Sequence, residues 1–126
     1  MSKHEVRTEH APVPAGAYSQ GIVTGDLLYT AGFGPQDPST GEIAEGVAEQ
    51  TAQVLANVRA VLAERGLDLD DVIKTTVHLE HLKRDFAAFN ETYRSFFTPP
   101  FPARTTVGSE LMNILVEIDV VARLRN

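Results

Sequence analysis

An arginine at the start of a predicted strand is the side chain on which we base the chemistry of this chain. The segment Phe101-Pro102-Ala103-Arg104 brings Arg104 to that strand directly after a turn that contains Pro99 and Pro100. Proline fixes φ and cannot continue a helix, so the backbone before Arg104 is stiff. A guanidinium held in one place offers paired donors that match a carboxylate. The pattern indicates a binding site for a small carboxylic acid, and a surface ion pair is the alternative.

The last predicted strand carries the carboxylates that could pair with this arginine or act beside it. From Leu115 to Leu124 apolar residues alternate, and one face is fully apolar. The opposite face carries Glu117 and Asp119 together with Arg123. Charged residues are expected on such a face if it is exposed to water. If another surface covers the face, the same residues indicate a binding site or an interface.

Composition restricts the partners of the chain. Its 126 residues suit one domain, and the net charge of −6 comes with 11 scattered Lys and Arg residues, so nucleic acid is an unlikely partner. The absence of cysteine excludes disulfides, thiolate nucleophiles and thiolate zinc sites. His78 and His81 lack a third ligand, so we expect no metal and a surface or interface position for both. Without a long apolar run or a basic leader, we expect no membrane partner and a cytoplasmic protein.

Hydrophobic periodicity predicts an α+β domain in the order βββαβαββ, with two helices on one face of a mixed sheet. A Gly25-Asp26 turn indicates a hairpin, and Gly66 is placed to end the first helix. The predicted elements are strands to about Glu9, over 18–24 and 27–32, a helix over 46–65, a strand over 72–79, a helix over 84–97, and strands from Arg104 and over 115–124.

The second predicted helix carries most of the aromatic residues at helical spacing, and we expect these rings in the core. They are Phe86, Phe89, Phe96 and Phe97. Asn90 lies beside this stripe and is expected to be a buried anchor for a loop. Because helices cover only one face of the sheet, the other face, with Leu115 and Val121 among its charges, favours oligomerisation with clefts between subunits.

Several motifs in succession resemble one known family over nearly the whole chain. They are Gly16-Ala17-Tyr18-Ser19-Gln20-Gly21, Thr30-Ala31-Gly32, Asp71 to Val77, Phe86 to Tyr93, Phe101-Pro102-Ala103-Arg104 and Val116-Glu117-Ile118-Asp119. Together they resemble the Rid (YjgF) family of reactive-intermediate deaminases, also called L-PSP endoribonucleases. The resemblance implies a chorismate-mutase-like sandwich that assembles as a homotrimer with ligand clefts between subunits.

The resemblance also implies a reaction: hydrolysis of enamines and imines such as 2-aminoacrylate to 2-keto acids and ammonia. No metal or organic cofactor is implied. Arg104 would bind the carboxylate of the 2-imino or 2-keto acid, and Asp119 would take the position of a glutamate that orients the attacking water. The implied substrate-binding residues are Arg104, Tyr18, Gly32, Phe33, Thr106 and Phe89, with Glu117 and Ala31 as further candidates.

Four of these positions differ from the pattern that the resemblance implies. Ala31 lies where deaminating members carry serine, Phe33 where a polar residue is common, and Thr106 where cysteine is frequent. Asp119 is one methylene shorter than glutamate. Three hypotheses therefore stay open: an imine deaminase, a non-catalytic binding or regulatory protein for small keto or amino acids, and an endoribonuclease.

Overall fold

Six strands and two helices follow one another in the order βββαβαββ in the computed structural model, which describes residues 2–125. The strands are β1 (His4–Val6), β2 (Gly21–Thr24), β3 (Leu27–Thr30), β4 (Val72–Leu79), β5 (Ala103–Gly108) and β6 (Val116–Arg123). The helices are α1 (Val47–Ala63) and α2 (Leu82–Phe96), and a 3₁₀ turn at Leu69–Asp71 precedes β4. The predicted order is confirmed.

All six strands form one mixed sheet in the order β1-β2-β3-β6-β4-β5. Only β4 and β5 are parallel, because α2 connects them as a crossover, and every other neighbouring pair is antiparallel. The mixed sheet predicted from the sequence is therefore confirmed. The strand that begins with Ala103-Arg104 lies at the edge of the sheet, where only β4 pairs with it.

The first helix buries the face that its periodicity predicts. Val54, Leu55, Val58 and Val61 are fully buried against the sheet. The helix ends slightly earlier than expected, and Gly66 follows with φ of +70°, the left-handed conformation that glycine adopts without strain.

The second helix corrects part of the predicted aromatic core. Phe89 is fully buried and Phe97 nearly so, and Phe96 is partly buried. Phe86, expected in the core, is 38% exposed because it lies at the margin of the helix-covered face. The apolar face of α2 is thus narrower than the spacing of its three phenylalanines suggests.

The last strand alternates as predicted and defines two very different faces. Val116, Ile118, Val120 and Ala122 lie in the core under the helices. The odd-numbered residues, including Glu117 and Asp119, lie on the other face, which we call the open face because no helix within residues 2–125 covers it. Tyr29 and Val107 are aligned with open-face residues of neighbouring strands and are 44% and 38% exposed. The open face therefore exposes apolar side chains to solvent in the single chain.

Neither helix of the described chain is long and apolar enough to cross a bilayer.

Candidate functional site

Arg104 lies in a cradle of aromatic rings on the helix-covered face of the sheet. Its Nη1 donates a 2.8 Å hydrogen bond to Oδ1 of Asn90. Its Cζ lies 4.7 Å from the ring centroid of Tyr93, 5.4 Å from that of Phe89 and 5.6 Å from that of Phe86. Cation–π attraction and the amide hydrogen bond hold the guanidinium in one orientation. The rigid arginine expected from the proline-rich turn is thus held by α2 as well.

The register between β4 and β5 explains why Arg104 faces the helix. Arg104 is aligned with Thr75, a fully buried residue whose hydroxyl hydrogen-bonds to the hydroxyl of Tyr93 at 2.8 Å. Burial raises the pKa of Tyr93, although the Thr75 hydrogen bond and the charge of Arg104 partly oppose the rise. The phenol therefore stays neutral beside the arginine at physiological pH. The neutral Tyr93 ring packs against the guanidinium of Arg104 and leaves its positive charge available to a ligand.

A cavity of about 390 Å³ opens beside this arginine. Its lining consists of Asn90, Tyr93, Arg94, Phe101, Pro102 and Arg104. No acidic residue lines it, and neither arginine forms a salt bridge within residues 2–125. We call it the arginine cavity, and its chemistry suits an anion that contacts aromatic rings.

A separate groove of about 710 Å³ contains Glu117, Gly32 and Tyr18. A Cβ added to Gly32 would lie 2.5 Å from Oε2 of Glu117, so only glycine lets the carboxylate rest against the backbone here. Tyr18 is 50% exposed, and its hydroxyl accepts a 3.0 Å hydrogen bond from the backbone N–H of Ala15. Tyr18 is therefore not part of the core. We call this site the glutamate groove.

His78 also lines the glutamate groove, and its register partner on β6 is Glu117. Its Nδ1 shares a 2.7 Å hydrogen bond with Oγ of Ser109, which orients the imidazole. The described residues contain no cluster of three or more His, Asp or Glu residues that could hold a metal ion. His78, which we expected at the surface or at an interface, thus lies in the wall of the glutamate groove.

Asp119 lies further along the open face than Glu117, near the positively charged Lys74. Burial raises its pKa, while the positive charges of His78 and Lys74 partly offset the rise. Its register partner is Thr76. Lys74 itself donates to Thr76 and Thr105, so the lysine is tied to the neighbouring strands. Unlike Glu117, Asp119 does not line the glutamate groove.

Two of the expected substrate-binding residues are buried in the single chain. Phe89 is fully buried and Phe33 is only 4% exposed, so both rings belong to the core. Phe33 pairs its backbone with Ile118, which turns its ring under the sheet while its backbone borders the groove. Phe89 supports Arg104 from behind. Phe89 thus presents no exposed surface in the single chain, and Phe33 borders the glutamate groove with little of its surface exposed.

The remaining candidates divide between the two faces of the sheet. Thr106 is aligned with buried Val77, so it lies on the helix-covered face with Arg104. Ala31 precedes Gly32 and is partly buried, with its N–H bonded to the carbonyl of Gln20. Asn90 is only partly buried and binds Arg104, which corrects its expected role as an anchor for a loop.

Two buried amide side chains hold the loops around the glutamate groove, and the sequence analysis missed them. Gln20, 2% exposed, binds the backbone of residues 8–12 through both ends of its amide. Asn57, 1% exposed, donates to the carbonyls of Gly34 and Gln36 at 3.0 Å each. A polar residue on the buried face of α1 was the available signal for Asn57, because a buried amide must find partners.

Comparison with known proteins agrees with this architecture. A family model described as Endoribonuclease L-PSP matches residues 8–124. A RutC family protein of Pyrococcus abyssi is 43% identical over 125 residues, which cover 97% of this chain and 98% of the relative. A 2-iminobutanoate/2-iminopropanoate deaminase of Salmonella typhimurium is 42% identical over 127 residues, which cover 97% and 98%.

A solved structure of TdcF from Escherichia coli with bound serine has the same fold. Its TM-score is 0.90 at 35% identity, and the match covers 97% of this chain and 99% of that one.

Proposed function

Because the chain belongs to the L-PSP endoribonuclease family, the Rid family of the sequence resemblance, we propose that it hydrolyses 2-imino acids to 2-keto acids and ammonia. The observation that carries the proposal is the oriented guanidinium of Arg104, which forms no salt bridge within residues 2–125 and lines a cavity without acidic residues. A carboxylate is the natural partner of such a group. The Salmonella relative is named for this reaction class.

The catalytic site that we propose combines the arginine cavity of one chain with the glutamate groove of another. Arg104 lies on the helix-covered face and Glu117 on the open face, so one chain cannot present both to one small molecule. The exposed apolar residues of the open face favour association of copies. The resemblance favours a homotrimer, which light scattering would detect as three times the mass of one chain.

The charges of the two halves suit the substrate. A 2-imino acid carries a carboxylate and, when its nitrogen is protonated, an iminium cation. The cationic arginine cavity matches the first group, and the glutamate groove matches the second. An enamine such as 2-aminoacrylate reaches the same iminium form when its terminal carbon takes up a proton.

In the reaction we assign the water-activating role to Glu117 rather than to Asp119. Glu117 accepts a proton from a water molecule, whose oxygen attacks the iminium carbon and forms a tetrahedral carbinolamine. Glu117 passes that proton to the amine, and the C–N bond then breaks as the hydroxyl group gives its own proton back to Glu117, which releases ammonia and leaves the keto acid. Glu117 is favoured because it rests on Gly32 inside the groove, whereas Asp119 lies outside it beside Lys74 and His78.

The proposal is tested by measuring ammonia and keto acid released from freshly generated 2-aminoacrylate. We expect wild type to exceed the uncatalysed rate and Arg104→Ala to lose most of that acceleration. Arg65→Ala is the matched control, because Arg65 lies just after α1, lines neither the arginine cavity nor the glutamate groove, and hydrogen-bonds through its side chain to the backbone carbonyl of Glu5. Equal rates for wild type and background would reject the deaminase.

A second candidate function is ligand binding without catalysis. The TdcF structure with bound serine supports this candidate, because it shows that a protein of the same fold binds a small amino acid. Ala31 supplies no hydroxyl where the family resemblance implies serine. If wild type binds 2-oxobutanoate and does not accelerate imine hydrolysis, the cleft serves binding alone. An endoribonuclease would instead bind RNA with a steep salt dependence, which the scattered cations do not favour.

A further inference from the structure

The arginine cavity contains a second guanidinium, for which a monocarboxylic acid bound to Arg104 has no further carboxylate. Arg94 lines the cavity together with Arg104, and its Cζ lies 5.9 Å from the ring centroid of Phe101. Building on the proposed function, we infer that the preferred ligand is a dicarboxylic 2-imino or 2-keto acid. Arg104 binds its α-carboxylate and Arg94 binds the distal one.

Helix geometry places Arg94 on the correct side of α2. Asn90, which holds Arg104, and Arg94 are four residues apart, so their side chains lie on one face of the helix, one turn apart. Phe101 then supports Arg94 from the turn that leads into β5. Asn90 and Phe101 thus direct two guanidinium groups toward one volume from two elements of the fold.

The charge pattern supports two anionic groups in the ligand. Within the described residues, Arg59, Arg84 and Arg125 each have a carboxylate within 3.0 Å. Arg94 and Arg104 have none, as is also true of Arg7 and Arg65, but only Arg94 and Arg104 of these four share a cavity, and no acidic residue lines it. Two like charges facing one cavity repel each other, and a dianion removes that repulsion for both. A single carboxylate gains fork-like pairing from one guanidinium only.

Calorimetric titration tests the inference with two keto acids at one fixed, low ionic strength. We expect wild type to bind 2-oxoglutarate more tightly than 2-oxobutanoate. Arg94→Gln should weaken 2-oxoglutarate binding by about three- to tenfold and change 2-oxobutanoate binding by less than about twofold, as expected for one partly exposed charged contact. Lys83→Gln removes the same charge from α2 outside the cavity and should change neither affinity.

Five outcomes would contradict the inference. Equal wild-type affinity for the two acids, or an equal loss for both in Arg94→Gln, overturns the inference and leaves the proposed function standing. An equal loss in Lys83→Gln also overturns it, because the effect would then be net charge. Dissociation of the oligomer in Arg94→Gln without a change in preference assigns Arg94 to a subunit contact. If wild type binds neither acid, the proposed function fails as well.

Discussion

Arg104 and Glu117 lie on opposite faces of one sheet, although only strand β4 separates the strands that carry them. The guanidinium lies under α2, and the carboxylate lies on the open face beside Gly32. Under the proposed function, we therefore expect a reaction that needs both groups to take them from two subunits.

Mixed oligomers test this directly. We expect Arg104→Ala and Glu117→Gln chains each to be nearly inactive, and their mixture to recover activity after denaturation and reassembly together. Each site needs Arg104 from one chain and Glu117 from the next, so random equal mixing restores about one quarter of the sites in a ring of identical interfaces. The measurement is the imine hydrolysis rate per chain.

No recovery in a mixture of proven mixed composition would mean that both residues of a site come from one chain. Separate reassembly of each variant is the control for residual activity.

Replacing Gly32 tests whether the close approach of Glu117 matters. Gly32→Ala puts a methyl group 2.5 Å from the present position of Oε2, and because that atom ends a flexible side chain, the carboxylate moves rather than the fold. Displacement of about 1 Å can cost on the order of 100-fold in rate, so we expect a loss approaching that size with little change in Tm. Gly16→Ala, whose added Cβ meets Tyr18 at an ordinary 3.8 Å, is the control.

Wild-type activity in Gly32→Ala would show that Glu117 is not held against this backbone during catalysis.

Separate amide substitutions distinguish the two carboxylates of β6. We expect Glu117→Gln to lower kcat by about 100-fold or more, the usual contribution of a general base. Asp119→Asn should lower it much less, because Asp119 lies beside Lys74 outside the groove. Steady-state rates with 2-aminoacrylate decide between them, and the reverse ranking would return the water-activating role to Asp119.

The raised pKa of Asp119 predicts a pH dependence of stability. Burial, partly offset by His78 and Lys74, puts its folded pKa above its ordinary 3.8. The folded state then binds the proton more tightly than the unfolded state, so this contribution to stability is full below pH 3.8 and is lost as pH rises through the folded pKa. The Tm of Asp119→Asn relative to wild type should therefore be higher at pH 7 than at pH 3.5.

Thermal unfolding of both proteins across this range measures the difference, which we expect to be small because the side chain is only partly buried. A relative Tm that falls toward pH 7 would show that Lys74 and His78 outweigh burial.

Much of the fold was predictable because its signals are local. The alternation of β6 and the helical spacing of α1 depend on neighbours in sequence, and the structure has both. The core placement of Phe86 was wrong because a ring at a suitable spacing lies inside or outside according to what packs over it. That information comes from the partner element and not from the residue itself.

The site was predictable in chemistry and less so in arrangement. A stiff arginine was expected from Pro102, and the structure holds Arg104 in one orientation. Its separation from Glu117 was not expected, because the face of a strand residue relative to another strand depends on register. Asn90 was missed as a partner of Arg104 for the same reason: the two are joined only when β5 lies beside β4 under α2.

The buried amides of Gln20 and Asn57 determine how freely the walls of the glutamate groove can change over evolution. Both bind backbone atoms of the loops and not their side chains. Val13 directly follows the segment that Gln20 holds and is 73% exposed, so substitution there leaves the amide hydrogen bonds in place. We therefore expect new substrate preferences to arise by substitution at such exposed loop positions, while the two buried amides keep the groove open.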